Sequence, residues 1–520
     1  MGAYQQYVET RTGHNPCLTN LAKFLSNPRR RGRHAKIVSM DFYGDRSRPE
    51  KRDIELEGLS QLLDDFNHQS SVGIDSKSSP ASEKLEKTLQ SEQYLKILLV
   101  QDLSKDIIES LGTSLNIDPT FFASHIHTSV KGVGVQTPDM AVLPSRIRRQ
   151  NYINIHYHRT LVFENAWHLP KKLLREGNLE RKVILLPWSH GKHIGLAQHC
   201  ISILYVDGPK YGLGLILVDF PITDRYYVET MNPPEEINLQ SSLFLGGYEG
   251  FTDLPNIISE KVSPHPDRFN LLRDLIYYWS ESPTNQRPWT AHSPLSYLSY
   301  YPLKIVAGEW VNYLSVMHQS VKKYEYTSNA TAGFFEEIDR LNNDLRALQS
   351  WRRRSMSSQQ KVRSVIRHMY WWANPDLTAL TDDYEYLASS IKESGNRLEN
   401  ILPVVTSLVQ IVDSRRSFAE TANVSRLTIL ALVFVPLTYI SSIFSMNSEY
   451  SPGNSLFWVY FVVALPVTFC VILVARPPIT IWQRMMNYRI GLWEHSKRRE
   501  VSKQTESFLM SKELESPTQL

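Results

Sequence analysis

The sequence is poor in cysteine. Three residues in 520, Cys17, Cys200 and Cys470, lie far apart and form no CxxC pair. That spacing excludes a disulfide framework and a cysteine zinc site, and it suits a cytosolic location for the water-soluble part. An excess of one charge is also missing. Against 57 Lys and Arg stand 53 Asp and Glu, a formal charge of +4; a nucleic-acid binder concentrates basic charge on one face, so no nucleic-acid partner is expected. Catalytic signatures are absent as well. There is no HExxH, no GxSxG and no P-loop, and "GPKYGLGLI" (208–216) fails the dinucleotide fingerprint. Neither an enzyme nor a bound cofactor is expected. The opening "MGAYQQYVETRTGHNPC" lacks the basic-then-apolar layout of a secretory signal, and Gln6 breaks the myristoylation pattern, so no cleaved signal is expected.

What is present is a long polar chain with two greasy stretches near its end. A hydrophobic content of 42% with a mean hydropathy of −0.30 makes most of the chain water-soluble, with room for two or three domains. Residues 427–444, "LTILALVFVPLTYISSIF", and 456–474, "LFWVYFVVALPVTFCVILV", carry no charge, and each is long enough to cross a bilayer. Pro436 and Pro466 are tolerable there, because neighbouring helices and hydroxyl side chains satisfy the carbonyl that proline frees. Arg415, Arg416 and Arg426 precede the first run, Arg476, Arg484 and Arg489 follow the second, and 445–455 holds no Lys or Arg. The positive-inside rule then puts both termini in the cytosol.

Ahead of these spans the pattern divides the chain. Residues 1–90 read as a variable, partly disordered region, with a Ser-rich linker "NHQSSVGIDSKSSPASEKLEK" (67–87). Strand-like runs at 93–103, 151–163, 181–188, 200–206 and 213–220, and a helix after Ser104 as its N-cap, predict an α/β domain over 91–285. A helical part follows over 286–375, where Phe334, Ile338, Leu341, Leu345 and Leu348 make a packing stripe. A stalk helix is expected over 376–426. There Tyr384, Leu387, Ile391, Ser394, Leu398, Ile401, Val405, Leu408 and Val412 repeat every 3.5 residues, which is a coiled-coil seam. Run on into the first span, 381–444 would form a rod of roughly 95 Å at 1.5 Å per residue, with Pro403 bending or breaking it. Transmembrane helix 1 is placed at 427–444, an outer loop at 445–455, transmembrane helix 2 at 456–475 and a basic cytosolic tail at 476–520.

Two spans cannot enclose an aqueous path, so a pore requires several copies around an axis. Continuing the 3.5-residue step gives Val424, Leu427, Ala431, Val435, Thr438, Ser442 and Ser445: apolar toward the cytosol, hydroxyl-bearing toward the outer mouth. Apolar rings gate by dewetting, and rings of hydroxyls and amides hold a hydrated ion without stripping its water. Magnesium gives up water reluctantly, so an amide such as Asn447 accepts hydrogen bonds from coordinated waters. Glu449, repeated in each copy, concentrates cations at the mouth. Each hydroxyl also has a plain alternative, a bond to a carbonyl of its own helix, and for Asn447 the alternative is a helix C-cap.

"LTILALVFVPLTYISSIFSMNSEYSP" (427–452) resembles the first span and signature of the CorA divalent-cation channels: Pro-Leu-Thr at 436–438, the pair Met446-Asn447, and Glu-Tyr-x-Pro after it. The stalk "LPVVTSLVQIVDSRRS" and "LLVQDLSKDIIESLGTSLNIDPTFFASHI" are similar to those of divergent fungal CorA-like proteins. The resemblance implies a CorA-like fold: an α/β/α cytosolic domain, a funnel of stalk helices and two C-terminal spans, assembled as a homopentamer in the bilayer, with Mg2+ as the usual cargo and cobalt or nickel carried too. By position it implies Asn447 as the selectivity ring beside Met446, Ser445 and Glu449, with Thr438, Ser442 and Ala431 lining the pore and Val424, Leu427 and Val435 forming the hydrophobic gate. The family carries glycine where this chain has Ser445, and its stalk sensor carboxylate falls near Gln410, with Asp413 the nearest acid. A non-conducting scaffold or metal sensor of the same fold is the alternative function. The plasma membrane is the expected location; the inner mitochondrial membrane is the alternative, from the basic "PRRRGRHAK" (28–36).

Histidines cluster at 125–127, 156–158 and 190–193. An HxH pair on a strand puts both rings on one face and so offers two metal ligands, but nothing in the sequence supplies a third or fourth. "MYWWANPD" (369–376) is expected to pack the stalk on the α/β body, and Asn329 and Asn423 match the glycosylation pattern on the expected cytosolic side, where they stay unmodified.

Overall fold

The computed structural model describes residues 2–26, 35–43, 48–68, 93–127, 143–164, 169–186, 193–228, 235–246, 268–281, 293–326, 334–372, 374–446 and 452–475. These fall into two compact units, Met1–Thr406 and Ser407–Leu520.

The first unit is built on an eleven-stranded sheet. Its strands are β1 (Lys36–Tyr43), β2 (Glu50–Ile54), β3 (Gln93–Gln101), β4 (Tyr152–Phe163), β5 (Lys172–Arg175), β6 (Lys182–Leu185), β7 (His193–Val206), β8 (Gly212–Val218), β9 (Arg225–Val228), β10 (Glu236–Asn238) and β11 (Ser241–Leu243). They run in the order β10-β9-β5-β6-β7-β8-β3-β1-β2, with β4 paired to β7 and β11. β3 and β8 pair in parallel, Leu95 opposite Gly212 through Gln101 opposite Val218. Alternation along these strands divides the core. Leu95, Ile97, Leu99, Ile216 and Val218 join one cluster, and Leu98, Val100, Leu213, Leu215 and Leu217 join the other.

Helices cover both faces. The second cluster is closed by α1 (Ala3–Thr12), α2 (Thr19–Ser26), α3 (Leu56–His68), α4 (Lys105–Ser114) and α5 (Pro119–Ile126), with the short α6 (Pro144–Ile147) leading into β4. The first cluster is closed by α7 (Leu271–Glu281), α8 (Pro294–Tyr326), α9 (Phe334–Trp372) and the start of α10 (Thr378–Phe444). The sheet therefore begins well before residue 91. β1 and β2 pair with each other, β1 also pairs with β3, and α1–α3 pack beneath, so residues 1–68 belong largely to the folded body. β1 is covered on both faces and so lacks the alternation by which a half-exposed strand shows itself in sequence. From residue 69 on, the Ser-rich linker lies outside the described residues, and Asn67 and His68 end α3. Ser104 does occupy the N-cap of α4, but its side chain makes no capping bond; its carbonyl accepts from Ile108 at 3.1 Å.

α10 runs without interruption through Pro403 and Pro436. The expected seam is its packing face: Tyr384, Leu387, Ile391, Ser394, Leu398, Val405 and Val412 are buried, and Ile401 and Leu408 are half-buried. Tyr384 adds a hydrogen bond from its hydroxyl to the Leu303 carbonyl, 2.9 Å. α9 lies antiparallel against α10 in this unit, fixed by Arg352 to Glu399 at 3.1 Å and by the Thr381 hydroxyl to Met369 Sδ at 3.9 Å. Of the aromatic run before α10, Met369 is buried and Trp371 and Trp372 are half-buried, whereas Tyr370 faces out.

Candidate functional site

The second unit holds the C-terminal part of α10 and α11 (Trp458–Ala475). Among the described residues α10 alone is long and apolar enough to cross a membrane: an 18-residue window has a mean hydropathy of 2.1, and 6% of that window is buried. A core helix of a soluble protein of this composition would be mostly covered, and a signal sequence would not follow a folded domain. α11 is apolar throughout.

Every member of the sequence-derived stripe is exposed in the single chain: Val424, Leu427, Ala431, Val435, Thr438, Ser442 and Ser445. Leu427 at 68% and Val435 at 65% are apolar side chains open on a helix that would not dissolve in water this way. Between 424 and 446 one residue is buried, Ile440. It follows Thr438 by two residues, about 200° around the helix, and so lies opposite the stripe. Phe444, one turn on, meets Tyr460 of α11 edge to face at 6.0 Å, and Ala464 and Thr468 of α11 are buried. α11 thus packs behind α10 and leaves the stripe uncovered.

The Thr438 hydroxyl donates to its own helix, to the Phe434 carbonyl and more weakly to Val435 O at 3.3 Å, as Thr428 does to Val424 O at 2.8 Å. The helix closes with Ser445 N on Ser441 O at 2.9 Å and Met446 N on Ile443 O at 3.3 Å, leaving Met446 87% exposed. Gly453, ahead of α11, has φ +109°, a left-handed conformation with open space around it. Asn447 and Glu449 lie outside the described residues.

His125, His156 and His158 of the sequence clusters join His199, which no cluster contained, in a polar core of the sheet; His190 lies outside the described residues. Asp219, just past β8, accepts Arg181 Nε at 2.9 Å and Nη2 at 2.7 Å, and the Cys200 amide at 2.8 Å. His125 Nε2 and His199 Nδ1 each lie 3.8 Å from the same carboxylate. His125 Nδ1 meets Ser202 Oγ at 2.8 Å, and Arg175 donates to His199 Nε2 at 2.8 Å. His156 reaches Ser124 Oγ at 3.3 Å, and His158 stacks on Tyr313 at 5.8 Å. Burial works against the Asp219 carboxylate, but Arg181 outweighs it and holds the group below its usual range. Burial pushes the His125 imidazole down to about 3 and holds His156, His158 and His199 well below their ordinary value. No group of three or more His, Cys, Asp or Glu among the described residues is placed to hold a metal ion. Sequence spacing showed the HxH pairs but not Asp219 and Arg181, which reach them from other segments.

A family model described as "CorA-like Mg2+ transporter protein" matches residues 265–476. Over those residues the chain is similar to that family, and the structure places an α/β domain ahead of a long helix and an apolar helix near the C-terminus. Among solved structures, the complete CorA magnesium transporter of Methanocaldococcus jannaschii is similar at 10% identity and a TM-score of 0.36, over 84% of this chain and 96% of that one. The full-length CmaX protein is similar at 12% identity and a TM-score of 0.34, over 86% and 99%. No curated protein sequence matches the chain.

Proposed function

We propose that this chain forms a membrane channel that passes divalent metal cations, Mg2+ first among them, through a homopentameric pore lined by the stripe on α10. One observation carries the reading: the apolar end of α10 packs α11 against the face around Ile440 and keeps the opposite face open from Val424 to Ser445. Lipid suits the outer surface of such a pair. A hydroxyl-bearing inner face suits water and ions. The family match over 265–476 supports the same class.

In this reading Val424, Leu427 and Val435 form the hydrophobic gate. Ala431, Thr438 and Ser442 line the pore, Ser445 and Met446 shape the outer mouth, Asn447 holds the hydrated ion through its amide oxygen, and Glu449 concentrates cations outside. α11 serves as the second span, both termini face the cytosol, and the plasma membrane is the host, with the inner mitochondrial membrane as alternative. The ion moves down its electrochemical gradient. Ion flux into proteoliposomes tests this: Mg2+ enters with wild type and not with Asn447→Ala, whereas an intact wild-type oligomer that passes no divalent cation refutes it.

A second reading, a non-conducting scaffold or metal sensor, is favoured by the Thr438 hydroxyl, which is already committed to its own helix, and by Ser445 in the family's glycine position. Ser445→Gly separates the two. A gain of Mg2+ flux from a silent wild type supports the scaffold reading.

A further inference from the structure

Two helices of the first unit carry opposite charge on exposed faces. Between Asp344 and Asp376 the sequence holds seven Lys or Arg and no acidic residue. In α9, Leu348, Trp351, Val362 and Met369 point into the core, whereas Arg346, Arg353, Gln360 and Arg367 follow at steps of seven on the exposed side, with Met356 and Arg363 between them. Arg352 has Glu399 as its partner, but Arg346, Arg353, Arg363 and Arg367 have no carboxylate partner among the described residues. A stripe of like charge repels itself unless counter-charge lies against it.

The counter-charge exists elsewhere in the same unit. From Asp53 to Ser76 the chain holds six acidic residues and no Lys or Arg. In α3, Leu59, Leu63 and Phe66 are buried, and Glu57, Gln61, Asp64 and Asp65 are exposed. Glu57 and Asp64 are separated by about 10.5 Å along the helix at 1.5 Å per residue, the same step as Arg346 to Arg353. None of Glu57, Asp64 and Asp65 has a basic partner among the described residues. The helix dipole favours Glu57 in the first turn, but Asp64 and Asp65 stand toward the C-terminal end, where acid is disfavoured. They gain nothing from α3 itself.

α3 closes the second core cluster and α9 the first, so the two faces lie on opposite sides of the sheet and one copy cannot bring them together. A second copy can. We propose that the exposed face of α9 in one copy docks on α3 of the next, with Arg346 and Arg353 opposite Glu57 and Asp64. The inference rests on the homo-oligomer proposed above and gives its α/β units a contact of their own. Different patches meet on the two partners, so the contact is heterologous, and its repetition closes a ring when the rotation allows. Arginine suits the role because its planar fork takes a carboxylate through two parallel bonds. An acidic partner of another kind would also satisfy α9, but it leaves the carboxylates of α3 unexplained.

Light scattering of the full-length protein in detergent, followed on dilution, tests the contact. Arg346→Glu with Arg353→Glu, and separately Glu57→Lys with Asp64→Lys, are each expected to raise the dissociation constant of the oligomer by about tenfold or more. All four together should restore most of the loss, because reversing both sides keeps the pairing. The sites are exposed, and circular dichroism checks that each variant keeps its fold. An oligomer that neither pair of reversals weakens, or that the four together weaken further, overturns the docking and leaves the channel reading standing. Weakening by the arginine pair alone assigns α9 to another acidic surface and likewise overturns it. A monomeric wild type refutes the homo-oligomer itself, and the contact with it.

Discussion

Arg181 grips Asp219 through two hydrogen bonds, 2.9 and 2.7 Å, with both side chains almost wholly out of solvent. The same guanidinium donates to the carbonyls of His125 at 2.7 Å and His127 at 3.1 Å, so one cation ties the end of α5 to the end of β8. Charge pairs this deep gain little over an apolar pair of the same shape, yet breaking one strands its partner.

Asp219→Ala is therefore expected to destabilise the α/β unit by about 3–5 kcal/mol, the usual consequence of leaving a buried cation unpaired. The variant also removes the acceptor of the Cys200 amide. Denaturant unfolding followed by tryptophan fluorescence reads the loss. A change below about 1 kcal/mol, the range of an exposed pair, would refute the assignment of Asp219 as the centre of this network.

Acid should unfold the same unit. His125 and His199 are buried and His156 and His158 half-buried; all four are kept neutral, each with its affinity for protons lowered first by desolvation. A histidine with a lowered folded value binds protons more readily in the unfolded chain, so its contribution is present above the unfolded value and is lost as pH falls through it. By pH 5.5 the loss is on the order of 1 kcal/mol for one such group and several kcal/mol for the four together. The unfolding midpoint measured between pH 7.5 and 5.5 is expected to drop steeply, and less so in His158→Phe, which keeps a ring against Tyr313. A flat profile would place these histidines in contact with solvent.

The stalk offers a cleaner stability test. Ile391 sits on the seam fully buried, whereas Tyr386 on the same helix is 68% exposed. Ile391→Ala is expected to cost about 2–5 kcal/mol through lost contacts and a cavity. Tyr386→Ala should stay within about 0.5 kcal/mol. Equal effects at the two positions would mean that the helix packs on another face.

That seam was legible in the sequence because a helix converts a 3.5-residue repeat directly into one face, whatever it packs against. The sheet was legible only in part. β8 is a continuous apolar run and announces itself, and of β7 the sequence showed only 200–206, but β1 carries Ser39 and Asp41 at buried positions and reads as an irregular polar segment. Asp41 is explained by Lys96 of the neighbouring β3, 3.2 Å away, a partner that pairing supplies and spacing does not. The histidine core is hidden for the same reason: Asp219 and Arg181 stand far from the HxH pairs in sequence and meet them only through strand order. At the apolar end of α10 the stripe could be written down from the seam alone, but the position of α11 behind Ile440 required coordinates.

The gate assignment makes the last prediction. If Val424, Leu427 and Val435 face a common axis, their apolar rings exclude water when the pore is closed, and a hydroxyl there should let water in. Leu427→Ser is then expected to raise basal Mg2+ flux in proteoliposomes under conditions where wild type is nearly silent. Ile429 provides the control, because it is two residues away and so about 200° around the helix, on the side that carries Ile440. Ile429→Ser should alter assembly or stability without raising flux. Should Ile429→Ser leak and Leu427→Ser not, the lumen lies on the other face of α10, and the stripe from Val424 to Ser445 would have to face lipid or a neighbouring copy instead.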